Sequence, residues 1–403
     1  MAEPARLLTP KSPSSVSADT LAMPPLADTQ PAQRLISVDA LRGFSMFWII
    51  GGDGLMWSIS DMSQGKGPVV SAVGQFLGTQ FIHPYWDGFR FYDLVFPLFI
   101  FVTGVAIVLA LPKLIEREGR AAAHWRVIRR ALILYALGIL YYGGISQEWE
   151  DIRYLGVLQR LGICYLAASL MFMNMSVRAM AVVFVAILAG YWAAMNYIPV
   201  PGIGAGSFAP ITNLANWIDI KYLPGRLFDG GRDPEGLIST IPAIDTCLLG
   251  VFAGLLLRDA TRSAREKVAW LVIGGAVMVG AGYLWGLQFP VNKPMWTSSF
   301  VLVSGGYSLI LLGVFYQLVE IWNFRAWTWI FVWIGANAIL LYLVNDLTSY
   351  ERIAVRIVGG DFGALLDRLV TPGTGRFVAH LLGLGIAIAL ARYLYNRRIF
   401  LRV

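Results

Sequence analysis

Charge is scarce in this chain. Only 14% of its 403 residues are Asp, Glu, Lys or Arg, too little polar surface for a water-soluble fold of this size. Cysteine is scarcer still: Cys164 and Cys247 both fall in apolar runs, which excludes a disulfide framework, and no CxxC or Cys/His cluster is present to hold zinc. No metal site is expected. There are three histidines, at positions 83, 124 and 380. The chain contains no GxSxG, no HExxH and no GxxxxGK[ST], so hydrolase-elbow, zinc-protease and nucleotide-driven chemistry lack their residues. A net charge of +7 comes without a basic stripe or recognition motif, and nucleic acid is not expected as a partner.

Apolar residues are abundant. The chain is 57% hydrophobic, carries 14 Trp, and has a mean hydropathy of +0.62, which together indicate an all-α integral membrane protein in contact with lipid. Apolar runs near 38–58, 90–112, 126–143, 153–174, 178–194, 238–257, 267–287, 298–320, 327–348 and 377–396 predict a polytopic bundle of about ten transmembrane helices. Residues 69–81 and 360–371 read as re-entrant or interfacial. Residues 1–34, rich in Pro, Ser, Ala and Thr, read as a disordered cytoplasmic tail ahead of a membrane domain over 35–403. Threading the runs with the N-terminus inside leaves most Lys and Arg on the inner side and most acids on the outer, so both termini are expected in the cytoplasm. A homodimer stays open.

In this threading His83 lies at the outer end of the bundle. Asp53, Asp93, Arg160, Asp245 and Asp346 fall at a similar depth, and ionisable groups inside spans are usually paired or functional. A histidine flanked by carboxylates can accept a proton or attack an acyl donor, so acyl transfer fits. A proton-coupled sugar transporter would use the same groups and remains the alternative. His124, in a basic inner loop, and His380, in an apolar helix, have no motif and read as surface and packing residues.

Six segments carry a resemblance: RLISVDALRGF (34–44), HPYWDGFRFYDLVFPLFIFVTG (83–104), IRYLGVLQRLGICY (152–165), DPEGLISTIPAIDTCLLGVFAG (233–254), FPVNKPMWTSS (289–299) and WIGANAILLYL (333–343). In content and order they resemble the heparan-alpha-glucosaminide N-acetyltransferase family, in its membrane core without the large lumenal N-terminal domain. The resemblance implies an acetyl-CoA-dependent transmembrane acyltransferase that delivers acetyl to the amine of a glucosamine-type sugar. It also implies, by its bacterial relatives, a place in the bacterial inner membrane. His83 matches the family's catalytic histidine, as general base or acetyl carrier, with Asp53 and Asp93 beside it. Asp53 replaces a site asparagine of the lysosomal enzymes, and Asn345 and Asp346 replace their His-Glu pair. Sugar contacts are expected from Trp86, Arg153, Asp245, Asn292, Lys293, Trp296, Asn345 and Asp346. Arg42, Arg129, Arg130 and Arg160 are the expected CoA contacts, since inner-face cations suit a polyanionic donor.

Overall fold

The computed structural model describes residues 35–401, so the tail expected over 1–34 lies outside the described residues. Sixteen α-helices follow one another: α1 (Ile36–Phe47), α2 (Asp53–Ser63), α3 (Pro68–Gln80), α4 (Phe91–Glu118), α5 (Arg120–Tyr141), α6 (Val157–Asn174), α7 (Val177–Tyr197) and α8 (Leu214–Tyr222) in the first half. Then come α9 (Thr240–Arg258), α10 (Ala264–Gly286), α11 (Ser298–Tyr316), α12 (Thr328–Ala336), α13 (Ala338–Thr348), α14 (Tyr350–Val358), α15 (Gly360–Leu369) and α16 (Thr374–Asn396). Among the described residues the only β-type pairings are the isolated bridges Arg153 to Gly225 and Val200 to Gly204. The protein is an all-α integral membrane protein.

The expected ten spans become fewer by length and composition. Seven helices are long and apolar enough to cross a membrane, namely α4, α6, α7, α9, α10, α11 with its π-helical extension, and α16. The count is eight if α12 and α13, bent by 78° at Asn337, form one broken span. Two runs fall short for physical reasons. The 38–58 run is interrupted by a π-helical turn, Trp48–Gly52, where Gly51 takes φ 133°, a conformation open to glycine and strained for other residues. The 126–143 run shares α5 with Arg120, Arg126, Arg129 and Arg130, which dilute its apolar length. The stretches read as re-entrant or interfacial coincide with α3 and α15, of 13 and 10 residues, too short to span.

α4 is the axis of the bundle. Every residue from Asp93 to Val102 is buried, and a helix apolar on all sides belongs inside. It lies against α9 so closely that a Cβ at Gly104 would come 2.0 Å from the Cys247 carbonyl oxygen, and one at Gly250 1.9 Å from that of Phe101. Small residues at such a crossing let two backbones touch where no hydrophobic drive separates helix from lipid. By contrast α7 and α10 bury little of themselves and turn their apolar faces outward.

Candidate active site

The first turn of α4 builds the site. Asp93 sits at the third helical position, where its Oδ2 accepts the Arg90 backbone N–H at 2.9 Å, a carboxylate closing an N-terminal turn. Its Oδ1 lies 2.6 Å from His83 Nδ1. An ionised carboxylate only accepts, so Nδ1 carries the proton and Nε2 is left as the acceptor. The Arg90 guanidinium reaches back to the carbonyls of Ile82 and His83, at 3.0 and 3.4 Å, fixing the loop that carries the imidazole. Asp93 is fully buried and the His83 side chain is half exposed, so the pair faces a cavity from one wall.

A second loop, between α10 and α11, closes on the first. Asn292 Nδ2 donates to the Trp86 carbonyl at 3.0 Å and to Asp87 Oδ1 at 3.1 Å, while its Oδ1 accepts the Met295 N–H. Gly88 N–H bonds the Val291 carbonyl. This staple brings Lys293 Nζ to 3.4 Å from His83 Nε2 and 3.7 Å from Asp93 Oδ1. Burial pulls the Lys293 ammonium down from the ordinary lysine range, and Asp93 opposes that.

The cavity has a volume of about 480 Å³. His83, Asp93, Lys293, Arg153 and Asn345 line it, among the residues expected from the sequence. Arg153 is held rigidly: Asp233 takes it through two hydrogen bonds, Glu235 through a third of 2.7 Å, and the rings of Tyr142 and Phe228 cover the guanidinium at 4.4 and 4.7 Å. Burial works against its charge, but the two carboxylates outweigh burial and keep Arg153 above its usual range.

Other expected residues stand behind the wall. Trp86 donates Nε1–H to the Phe208 carbonyl and carries Arg232 on its ring, so Arg232, itself paired with Asp229, meets the cavity in its place. Trp296 is buried, bonded through Nε1 to Thr246, and packed beneath Arg160. Asp245 is buried on α9, and Asp346 lies beside the Tyr141 hydroxyl. Asp53 lines a neighbouring cavity and accepts the Tyr92 hydroxyl at 2.9 Å, and Tyr92 lies against the His83 ring at 5.0 Å. Tyr92, Tyr142, Phe228, Arg232 and Glu235 are cavity residues that sequence reasoning did not assign. The YDLVFP and DPEG words held a signal for two of them; Phe228 and Arg232 come from a loop with no pattern.

Further along α4 is another cavity of about 270 Å³, lined by Phe99, Thr103 and Ala106 of that helix together with Arg42, Arg130 and the α12–α13 break. Tyr92, Phe96, Phe99, Thr103 and Ala106 follow a spacing of three and four, so the two cavities lie along one face of α4, about 21 Å from end to end at the helical rise. In the wall of the first cavity Tyr342 stacks flat on Tyr141, with ring centroids 4.5 Å apart. Arg42 bonds the Gly335 carbonyl and Asp39, whereas Arg130 lies over Tyr165 with its Nε–H buried and unpartnered. Of the other arginines expected at CoA, Arg129 points to the exposed face of α5, and Arg160 lies fully buried against Ser239 and Trp296, outside this second cavity.

Comparison with known sequences gives the same direction. The family described as an acyltransferase domain matches residues 35–396. Heparan-alpha-glucosaminide N-acetyltransferase of Homo sapiens is 27% identical over 395 residues, covering 79% of this chain and 55% of that protein. The Mus musculus protein of the same name is 26% identical over 407 residues, covering 83% of this chain and 57% of its own. The chain thus spans a little over half the length of these curated relatives. Since the family match takes in nearly every described residue, the chain belongs to this acyltransferase family, on the side of it that resembles heparan-alpha-glucosaminide N-acetyltransferase.

Proposed function

We propose that the protein is a transmembrane N-acetyltransferase that moves acetyl from cytosolic acetyl-CoA to the amine of a glucosamine-type sugar on the outer side. One observation carries the reading: a carboxylate-held imidazole at one end of a single helix face, and a cavity with two arginines at the other. Arg42 and Arg130 fit a phosphate-bearing donor, because Arg130 keeps a buried N–H with no partner and a guanidinium binds phosphate oxygens well. The apolar stripe of α4 suits an extended arm running between the cavities.

In this reading His83 acts as general base. Asp93 fixes its tautomer, and Nε2 takes a proton from the acceptor nitrogen as that nitrogen attacks the thioester carbonyl. His83 then returns the proton to the departing sulfur. Lys293, beside Nε2, is placed to stabilise the oxyanion that forms on the carbonyl oxygen. Direct transfer, with no acetyl-histidine intermediate, is the preferred route. Both termini are placed in the cytoplasm and the chain in a bacterial inner membrane.

Right-side-out vesicles test the reading. Acetyl-CoA sealed inside with glucosamine outside should give N-acetylglucosamine outside, and His83→Ala should lower the rate by about 10²–10⁴-fold. Uptake of unmodified sugar without acetyl-CoA would establish a transporter instead. Product formed only with both substrates on one side would defeat the through-membrane route.

A further inference from the structure

Beside the site lies a smaller polar cavity of about 160 Å³, walled by Asp53, Asn345, Ser349, Glu351 and His380. Asn345 and Ile49 line both cavities, so they share a wall. The smaller one joins two sets of hydrogen bonds. On one side Tyr92, which also faces the site, donates to Asp53 Oδ2 at 2.9 Å. On the other, His380 is held between Ser58 Oγ, 2.7 Å from Nδ1, and Glu351 Oε1, 3.0 Å from Nε2. His380 is 5% exposed, whereas the Glu351 side chain is 54% exposed, so the chain of groups runs from the interior to solvent.

The His380 bonds are complete in two protonation states. Ser58 Oγ also lies 3.0 Å from the Gly54 carbonyl. With the hydroxyl donating to Gly54, both ring nitrogens carry protons, one for Ser58 and one for Glu351. With the hydroxyl rotated to donate to Nδ1, the ring is neutral and keeps only the proton shared with Glu351. One hydroxyl rotation therefore lets this imidazole gain or lose a proton without orphaning a buried group. A packing histidine does not need that. The titratable groups facing His380 are Asp53 from α2 and Glu351 from α14. α12 and the π-helical turn carry none, Asp367 of α15 is engaged with the Gly375 N–H, and Arg352 and Arg356 of α14 are exposed.

We propose that this smaller polar cavity beside Asp53 and His380 is the exit for the proton an ammonium acceptor must shed before it can react. The inference rests on the acetyl-transfer reading. An acceptor R–NH₃⁺ loses two protons on becoming R–NH–CO–CH₃. The second leaves as the C–N bond forms, passes to His83, and ends on the CoA sulfur as the C–S bond breaks. The first must reach bulk solvent while the acceptor itself fills the mouth of the site. Tyr92 takes it as its own hydroxyl proton moves to Asp53. A polar cavity of this size admits water, which carries the proton on to His380 and Glu351.

The test compares Glu351→Gln and His380→Gln with the wild-type enzyme in detergent, glucosamine as acceptor, from acid to alkaline pH. At acid pH, where the acceptor is an ammonium, both variants should lose kcat by about tenfold with KM for acetyl-CoA unchanged. At alkaline pH, where free amine predominates, the variant and wild-type rates should converge, and added imidazole should restore His380→Gln at acid pH. Glu351 is exposed, so its variant is expected to fold even if the His380 variant does not. A loss equal at every pH, or no loss in Glu351→Gln, would overturn the relay. Wild-type enzyme that makes no N-acetylated product at any pH would instead remove the acetyl-transfer reading and the relay with it.

Discussion

Asp219 illustrates how a single buried side chain sets conditions for the loops around it. It lies on α8, 2% exposed, with Oδ1 accepting the Leu237 N–H at 2.7 Å and Oδ2 tight against Gly236. Burial, with nearby Asp233 adding to it, pushes its carboxyl up to about 7. A carboxyl raised in the folded state favours folding while it is protonated, and that stability drains away as pH rises from the unfolded value near 3.8 to about 7. The difference is on the order of 4 kcal/mol. Asp219→Asn, which mimics the protonated acid, should therefore raise the Tm at pH 8 and change it little at pH 4; an equal shift at both would contradict the assignment. Residues of this kind were hard to see in the sequence. His83 and Asp93 were legible because they sit ten apart in one motif, and Lys293 because PVNK is a short polar word between apolar runs. Asn292 and Trp296, expected as sugar contacts, are not among the residues lining the cavity: Asn292 ties to Trp86 and Asp87, and Trp296 bonds Thr246 and packs beneath Arg160.

The crossing of α4 and α9 is where the site depends on helix packing. A Cβ at Gly250 would lie 1.9 Å from a backbone oxygen, so no rotamer can relieve it and the helices must part. Gly250→Ala should cost roughly 1–3 kcal/mol by overpacking and should lower activity as α4 shifts Asp93. Gly274→Ala, on the open face of α10 with nothing near its Cβ, should be neutral or slightly stabilising. Thermal unfolding of both in detergent decides it, and similar behaviour of the two would mean that the close approach is absent in solution. The apolar runs revealed where helices lie, because hydrophobicity alone places them. The breaks at Gly51 and Asn337 were not legible: each is a local backbone choice inside a run that remains apolar throughout, and both border cavities.

At the scale of the whole molecule, length and composition identified a helical membrane protein, and the order of six motifs identified its family. The number of spans did not follow, since a run count cannot distinguish a straight helix from two short ones. What the proposed reaction would do across the bilayer follows from the position of the His83–Asp93 pair at one end of the α4 stripe, with the cationic cavity at the other. In the proposed reaction an acetyl group moved outward along that stripe would count formally as one positive charge leaving the donor, and the proton that His83 would pass to the CoA sulfur as one returning. The two cancel. The ammonium's other proton would leave by the proposed relay on the side from which it came. The proposed turnover would therefore be electrically silent, although both substrates are charged. Clamping vesicles at potentials of either sign with potassium and valinomycin should leave the initial rate unchanged within error. A rate that scaled with voltage would mean that a charged group crosses with the acetyl, and that the phosphates do not stay at Arg42 and Arg130 during turnover.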